Sequence, residues 1–369
     1  LHQPIVETSS FPTSDPERIL DLDLVRCTEH AALAAWEHFG RGDKNQVDRA
    51  ASDAIRTMFE RIDCRGVVRI GEGRKDDAPG IFTDERLGSW SAGCVPAAVA
   101  LDPIDGTTLA AKGLRGAISV IALNIASNPY DDPKRLFPAI ASHYMAKLSV
   151  GPKISQSGIE LDLDAPLALT IEQVARELDK TVDDVTVMLL DRPRHNNTIE
   201  SLRRIGCRVR LISDGDVAAA IAPSLPNSGV DIYVGIGGSP EAVISAAAIK
   251  CLGGQQVCRI WPKDDAEREH LTVAEGYTEA DLQRLWNVDS LAPGGHLIVA
   301  ATGVSDSTLL HGVDQVGGYL KTHSLLLRAK HRTVRFIEAF HDYRRKLSRD
   351  KDLRKSLPGL APAADALAI

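Results

Sequence analysis

The sequence predicts an α/β protein of two domains, and three observations point to it. The chain has 369 residues, 44% hydrophobic and 25% charged, which is ordinary for a globular protein and more than one core usually spans. From residue 166 onward, apolar runs alternate with helical segments in the manner of βαβ units. Several of those runs end on carboxylates or glycines, so the strand ends should form a functional rim.

In chain order, two helices come first. The second, "DKNQVDRAASDAIRTMFERI", places Val47, Ala51, Ala54, Ile55, Met58, Phe59 and Ile62 at helical spacing, which makes one buried face. The run "GVVRI" leads into "GEGRKDDAP", and "AVAL" leads into "DPIDGTT". Asp102, placed before a proline, should end a strand, and Asp105, followed by Gly-Thr, should open a helix. "ISVIALN" and "YMAKLSV" are expected to continue the same sheet, closing a metal-binding domain over residues 1–165.

In the second domain, residues 166–345, the strands of three strand-then-helix units end in "DRPRH", "SDGD" and "GGSPE", which supply one wall of a site. The remainder, residues 346–369, is a charged and then Ala/Pro-rich tail.

A net charge of −7 argues against a nucleic-acid binder, because phosphate backbones demand a basic face. No apolar run is long enough to cross a bilayer, and the first residues lack a secretory pattern, so a cytoplasmic protein without membrane partners is expected. Six scattered cysteines without CxxC pairs are expected to be reduced.

Asp48, Glu72, Asp102 and Asp105 recur at loop-facing ends, joined by Glu241 from the second half. Hard oxygen ligands of this kind suit Mg²⁺ or Mn²⁺ beside a phosphate ester. Glu72 and Asp102 are the natural bridging ligands for a paired-ion site. Asp76 either helps Thr107 orient the attacking water or is a solvated loop acid. Lys44 either completes the phosphate pocket or pairs with Asp48 at i,i+4. Arg192 and Arg194 either clamp a second phosphate or form a surface charge run. Tyr144 is read as a contact to a substrate hydroxyl or else a half-buried strand aromatic, and His195 as an anion ligand or, more often beside two arginines, a bystander.

Together these segments resemble the class II fructose-1,6-bisphosphatases, the GlpX type, within the lithium-sensitive phosphatase superfamily. "GRGDKN" with Asp48, "DPIDGTT", "YMAKLSVGP", "DRPRH", "SDGDVAAAI" and "GIGGSPEAV" carry the resemblance, which runs from about residue 22 to 342. It implies a layered α/β/α/β/α sandwich with the active site between two domains, hydrolysis of fructose 1,6-bisphosphate with Mg²⁺ or Mn²⁺, and a homodimer or homotetramer.

Residue by residue, the resemblance implies metal binding by Asp48, Glu72, Asp102, Asp105 and Glu241, and catalysis by Asp76, Thr107 and Lys44. Substrate contacts would come from Gly106, Thr108, Tyr144, Arg192, Arg194, Asp214 and Asp216. The chain departs from the family at Arg49, Arg74, "GIF", "RGA" and Ala242, and the two arginines are expected to add positive charge near the metals. These departures leave two alternatives open: another sugar phosphate such as sedoheptulose 1,7-bisphosphate, or a non-catalytic sugar-phosphate binding protein.

Overall fold

A computed structural model of the chain describes residues 15–72, 80–128 and 130–352. Asp76 and Arg74 therefore lie outside the described residues.

Helices α1 (Pro16–Trp36) and α2 (Lys44–Phe59) form an outer layer. The Asp43 side chain caps α2 by accepting the Gln46 N–H at 3.1 Å, and the helix buries the face that its spacing predicts. Beneath lies an eight-stranded sheet. Its strands are β1 (Cys64–Ile70), β2 (Arg86–Leu87), β3 (Val95–Asp105), β4 (Ile118–Ile125), β11 (Leu297–Gly303), β12 (Asp314–Val316), β13 (Tyr319–Arg328) and β14 (Thr333–His341). Between β3 and β4 runs the single short helix α3 (Thr107–Ala111).

The second sheet has six strands: β5 (Tyr144–Val150), β6 (Thr186–Leu190), β7 (Arg208–Ile212), β8 (Ile232–Gly238), β9 (Gln255–Ile260) and β10 (Trp286–Asn287). Helices α4 (Pro152–Gln156), α5 (Leu167–Leu178) and α6 (Asn196–Ile205) accompany these strands, and so do α7 (Asp216–Ile221) and α8 (Ser239–Leu252).

Three hydrophobic clusters define the layers. The first joins α1 and α2 to one face of the large sheet through residues such as Leu33, Ile55, Val99 and Ile121. The second fills the middle, where α7 and α8 meet the other face through Val120, Val217 and Ile244 and meet the small sheet through Met145 and Tyr233. The third covers the outer face of the small sheet with α5 and α6, through Leu148, Leu189, Val174 and Leu202. The order is α/β/α/β/α, as the resemblance implies. β4 is buried along all of its length because it is covered on both faces, and its mostly apolar sequence, broken only by buried Ser119 and Asn124, reflects that.

Three expectations are corrected. "YMAKLSV" does not continue the first sheet: as β5 it pairs antiparallel with β8 and β9 in the centre of the second. Apolar content marks a buried strand but not which sheet receives it. The alternation beyond residue 166 gives only two parallel pairings, β6 with β7 and β6 with β8. Strands β11 to β14 return to the first sheet, so the division between sheets does not fall at residue 165.

Third, Asp105 does not open a helix. β3 runs on through it with an irregularity between Asp102 and Asp105, and Gly106 caps α3 at φ 90°, in the left-handed region that glycine adopts without a Cβ clash.

Among the described residues no helix is long and apolar enough to cross a membrane. All six cysteines are free and buried.

Candidate active site

β1 and β3 run parallel, so their C-terminal ends lie side by side, and the first turns of α2 and α8 face them. This convergence makes a cavity of about 510 Å³. Asp48 and Lys44 reach it from α2, Glu72 from the end of β1, Asp102 and Asp105 from β3, and Glu241 from α8. Gly106, Thr107, Thr108 and Asp214 also line it. All five acids expected at the metal site thus share one cavity.

The cavity is crowded with negative charge. Burial, opposed by the Thr107 hydrogen bond and the Lys44 charge, leaves the Asp48 carboxyl raised to about 6. Burial and the charge on Asp48 push Glu72 to about 7. Asp102 is driven well above the usual range by burial, then by Asp105, Glu241, Glu72 and Asp48. Asp105 is raised in the same way, by burial and by Asp216, Glu241 and Asp214. Its Oδ2 meanwhile accepts the N–H groups of Val217 and Ala218 at 3.1 and 3.3 Å, so it caps α7 rather than α3. The Thr107 hydroxyl lies 2.9 Å from Asp48 Oδ1 and 3.0 Å from the Ile104 carbonyl.

A second cavity, of about 920 Å³, adjoins the first and shares Gly71, Asp214, Pro240 and Glu241 with it. Tyr144, Arg192, Arg194 and Asp216 line it. Arg194 donates to the Ile236 carbonyl at 2.8 and 3.1 Å and stacks 4.9 Å over the Tyr144 ring. Arg192 is 3.8 Å from Asp214. His195 is not free to bind an anion: it is buried, its Nδ1 donates to the Leu190 carbonyl, and its Nε2 accepts the Ile236 N–H, both at 2.7 Å. Arg49 is exposed and is not among the residues lining either cavity, so the expected charge does not enter the site.

Two residues that the sequence reading missed underlie this wall. Lys147 of β5 is 1% exposed and forms an ion pair with Asp216, whose other oxygen takes the hydroxyl of fully buried Tyr233. The signal was a lone lysine inside an apolar strand run. "GIGG" brings the backbone against these acids: a Cβ at Gly237 would fall 1.9 Å from an Asp216 oxygen, and one at Gly238 would fall 1.8 Å from Glu241 Oε2.

The donor set fits a hard divalent cation. Its ligand atoms are carboxylate oxygens, and the buried Glu241 Oε2 has no hydrogen-bond partner among the described residues. The acids line the cavity without already closing on one point: among the described residues no three His, Cys, Asp or Glu side chains are gathered so as to hold an ion as they stand.

A family profile described as bacterial fructose-1,6-bisphosphatase, glpX-encoded, matches residues 18–341. The chain belongs to this family. Among curated relatives named within it, the class 2 fructose-1,6-bisphosphatase of Haemophilus influenzae is 37% identical over 333 residues, covering 88% of this chain and 96% of the relative. The fructose-1,6-bisphosphatase 1 class 2 of Escherichia coli K12 is 36% identical over 338 residues, covering 89% and 97%. The glpX-type match spans both sheets and both cavities, including every described residue of the site.

Proposed function

We propose that the chain, like relatives named fructose-1,6-bisphosphatase, hydrolyses fructose 1,6-bisphosphate to fructose 6-phosphate and inorganic phosphate, with Mg²⁺ or Mn²⁺ held by Asp48, Glu72, Asp102, Asp105 and Glu241, and that it serves gluconeogenesis. The observation that carries this reading is the junction of two unlike cavities, one lined with carboxylates and one with arginine and tyrosine. A bisphosphate needs both: a phosphoryl group to cleave and another to hold.

The bound cation would neutralise phosphoryl charge and make a bound water acidic. Thr107 shares its proton with Asp48 or the Ile104 carbonyl, which leaves hydroxyl lone pairs to orient the attacking water. Asp76, outside the described residues, is inferred to be its partner. Lys44, one turn before Asp48 on α2, brings a positive charge into the same cavity, suited to a phosphoryl oxygen. Arg192, Arg194 and Tyr144 bind the far end of the sugar phosphate, while Gly106, Thr108, Asp214 and Asp216 complete its contacts.

We further infer a cytoplasmic homodimer or homotetramer. Tyr319, Phe336 and Phe340 are exposed on β13 and β14, on a mixed face that also carries the Lys321–Glu338 ion pair and that self-association would cover. Light scattering on the purified protein tests this.

The substrate reading is tested by measuring phosphate release from fructose 1,6-bisphosphate, sedoheptulose 1,7-bisphosphate and several sugar monophosphates at equal concentration. Preference for the first is expected. Preference for another ester would move the assignment to that substrate, and release from none would leave a binding protein.

A further inference from the structure

One residue before Tyr144, on the wall of the second cavity, His143 is anchored in an unusual way. Glu267, only 5% exposed, uses Oε1 to accept both the His143 backbone N–H and the His143 Nδ1–H, each at 2.8 Å. Its other oxygen accepts the Lys263 N–H at 2.8 Å. The His143 carbonyl in turn accepts the Ser239 N–H at 2.9 Å. Burial alone would raise the Glu267 carboxyl, but these donors outweigh it and hold the group below its ordinary value. The carboxylate is therefore a fixed anion behind the ring.

The His143 side chain itself is 64% exposed. Its Nε2 makes no hydrogen bond among the described residues. An imidazole fixed through one nitrogen by a carboxylate presents the other at a defined point. His143 lines the cavity that also holds Tyr144, Arg192 and Arg194.

We propose that His143, oriented by Glu267, is a specificity-determining residue that hydrogen-bonds the phosphate of the substrate that is not cleaved. This rests on the sugar-bisphosphate reading. With substrate bound, Nδ1 stays held on Glu267 while Nε2 hydrogen-bonds a phosphoryl oxygen beside the two arginines. A mere structural pin would hold residues 139–143 against residues 264–269 and leave the choice of substrate untouched.

The test compares full-length wild type, His143→Ala, His143→Lys and Glu267→Gln on fructose 1,6-bisphosphate and on fructose 1-phosphate, which keeps the scissile ester and lacks the second phosphate. For His143→Ala, KM for the bisphosphate should rise about tenfold with kcat nearly unchanged, the size of one charge-assisted hydrogen bond. KM for the monophosphate should not move. His143→Lys should recover part of the loss, and Glu267→Gln should shift KM in the same direction by less. An unchanged KM, or equal losses on both esters, overturns the proposal. A wild type that releases no phosphate from the bisphosphate overturns the functional reading, which is a different result.

Discussion

Asp105 accepts the backbone N–H of Val217 at 3.1 Å across 112 residues of chain. The same carboxylate lines the acidic cavity, so one side chain ties β3 of the large sheet to the helix that carries Asp216. Its two duties can be separated. Asp105→Asn keeps an oxygen acceptor for the α7 amides and removes one of several repelling charges. In chelator it should melt at or above wild type, and with Mg²⁺ or Mn²⁺ returned it should still lose turnover. Asp105→Ala removes the cap as well and should lose about 1–2 kcal/mol in chemical denaturation.

Burial and like charge raise Glu72 above its unfolded value, to about 7. The folded state therefore binds more protons than the unfolded chain between roughly pH 4.5 and 7, and this contribution turns unfavourable as pH rises through that window. His30 and His341, lowered by burial to about 4 and about 3, act in the opposite sense. The informative quantity is thus a difference between variants. In chelator, the melting temperature of Glu72→Gln minus that of wild type should be near zero at pH 4.5 and positive at pH 8.

The Lys147–Asp216 pair has almost no access to water. Removing one partner leaves an uncompensated buried charge, so Lys147→Met should destabilise by about 3–5 kcal/mol in urea unfolding. Lys147→Met combined with Asp216→Asn should recover part of that.

Gly237 and Gly238 should differ in what they tolerate. At Gly238 the obstructing atom is the end of the Glu241 side chain, which can swing away. Gly238→Ala should keep its melting temperature and lose activity by about tenfold or more, because an acid of the site has moved. At Gly237 the obstruction is Asp216, which Lys147 and Tyr233 lock in place. Gly237→Ala should therefore lose stability as well.

These contrasts show what was legible in the sequence. The buried face of α2 follows from local periodicity, a property of neighbouring residues. The gathering of the five acids was legible for a similar reason, since each stands at a strand or helix end. The capping role of Asp105 was not, because its donors lie in a helix that only the fold brings near. Lys147 was hidden in another way. On β5 it shares a face with Met145 and Ser149, opposite Leu148 and Val150, and a lysine there reads as solvent-facing until Asp216 arrives from a distant segment. The return of β11 to β14 to the first sheet is likewise a matter of long-range pairing.

The most direct measurement of the site is phosphate release from fructose 1,6-bisphosphate by chelator-treated protein as Mg²⁺ or Mn²⁺ is returned, in wild type and in Asp102→Asn, with folding checked by circular dichroism. Release that is absent in chelator, restored by the cation in wild type and lost in a folded Asp102→Asn is the expected result. Release that persists in chelator, or equal turnover by the variant at saturating cation, would contradict a carboxylate-held metal site.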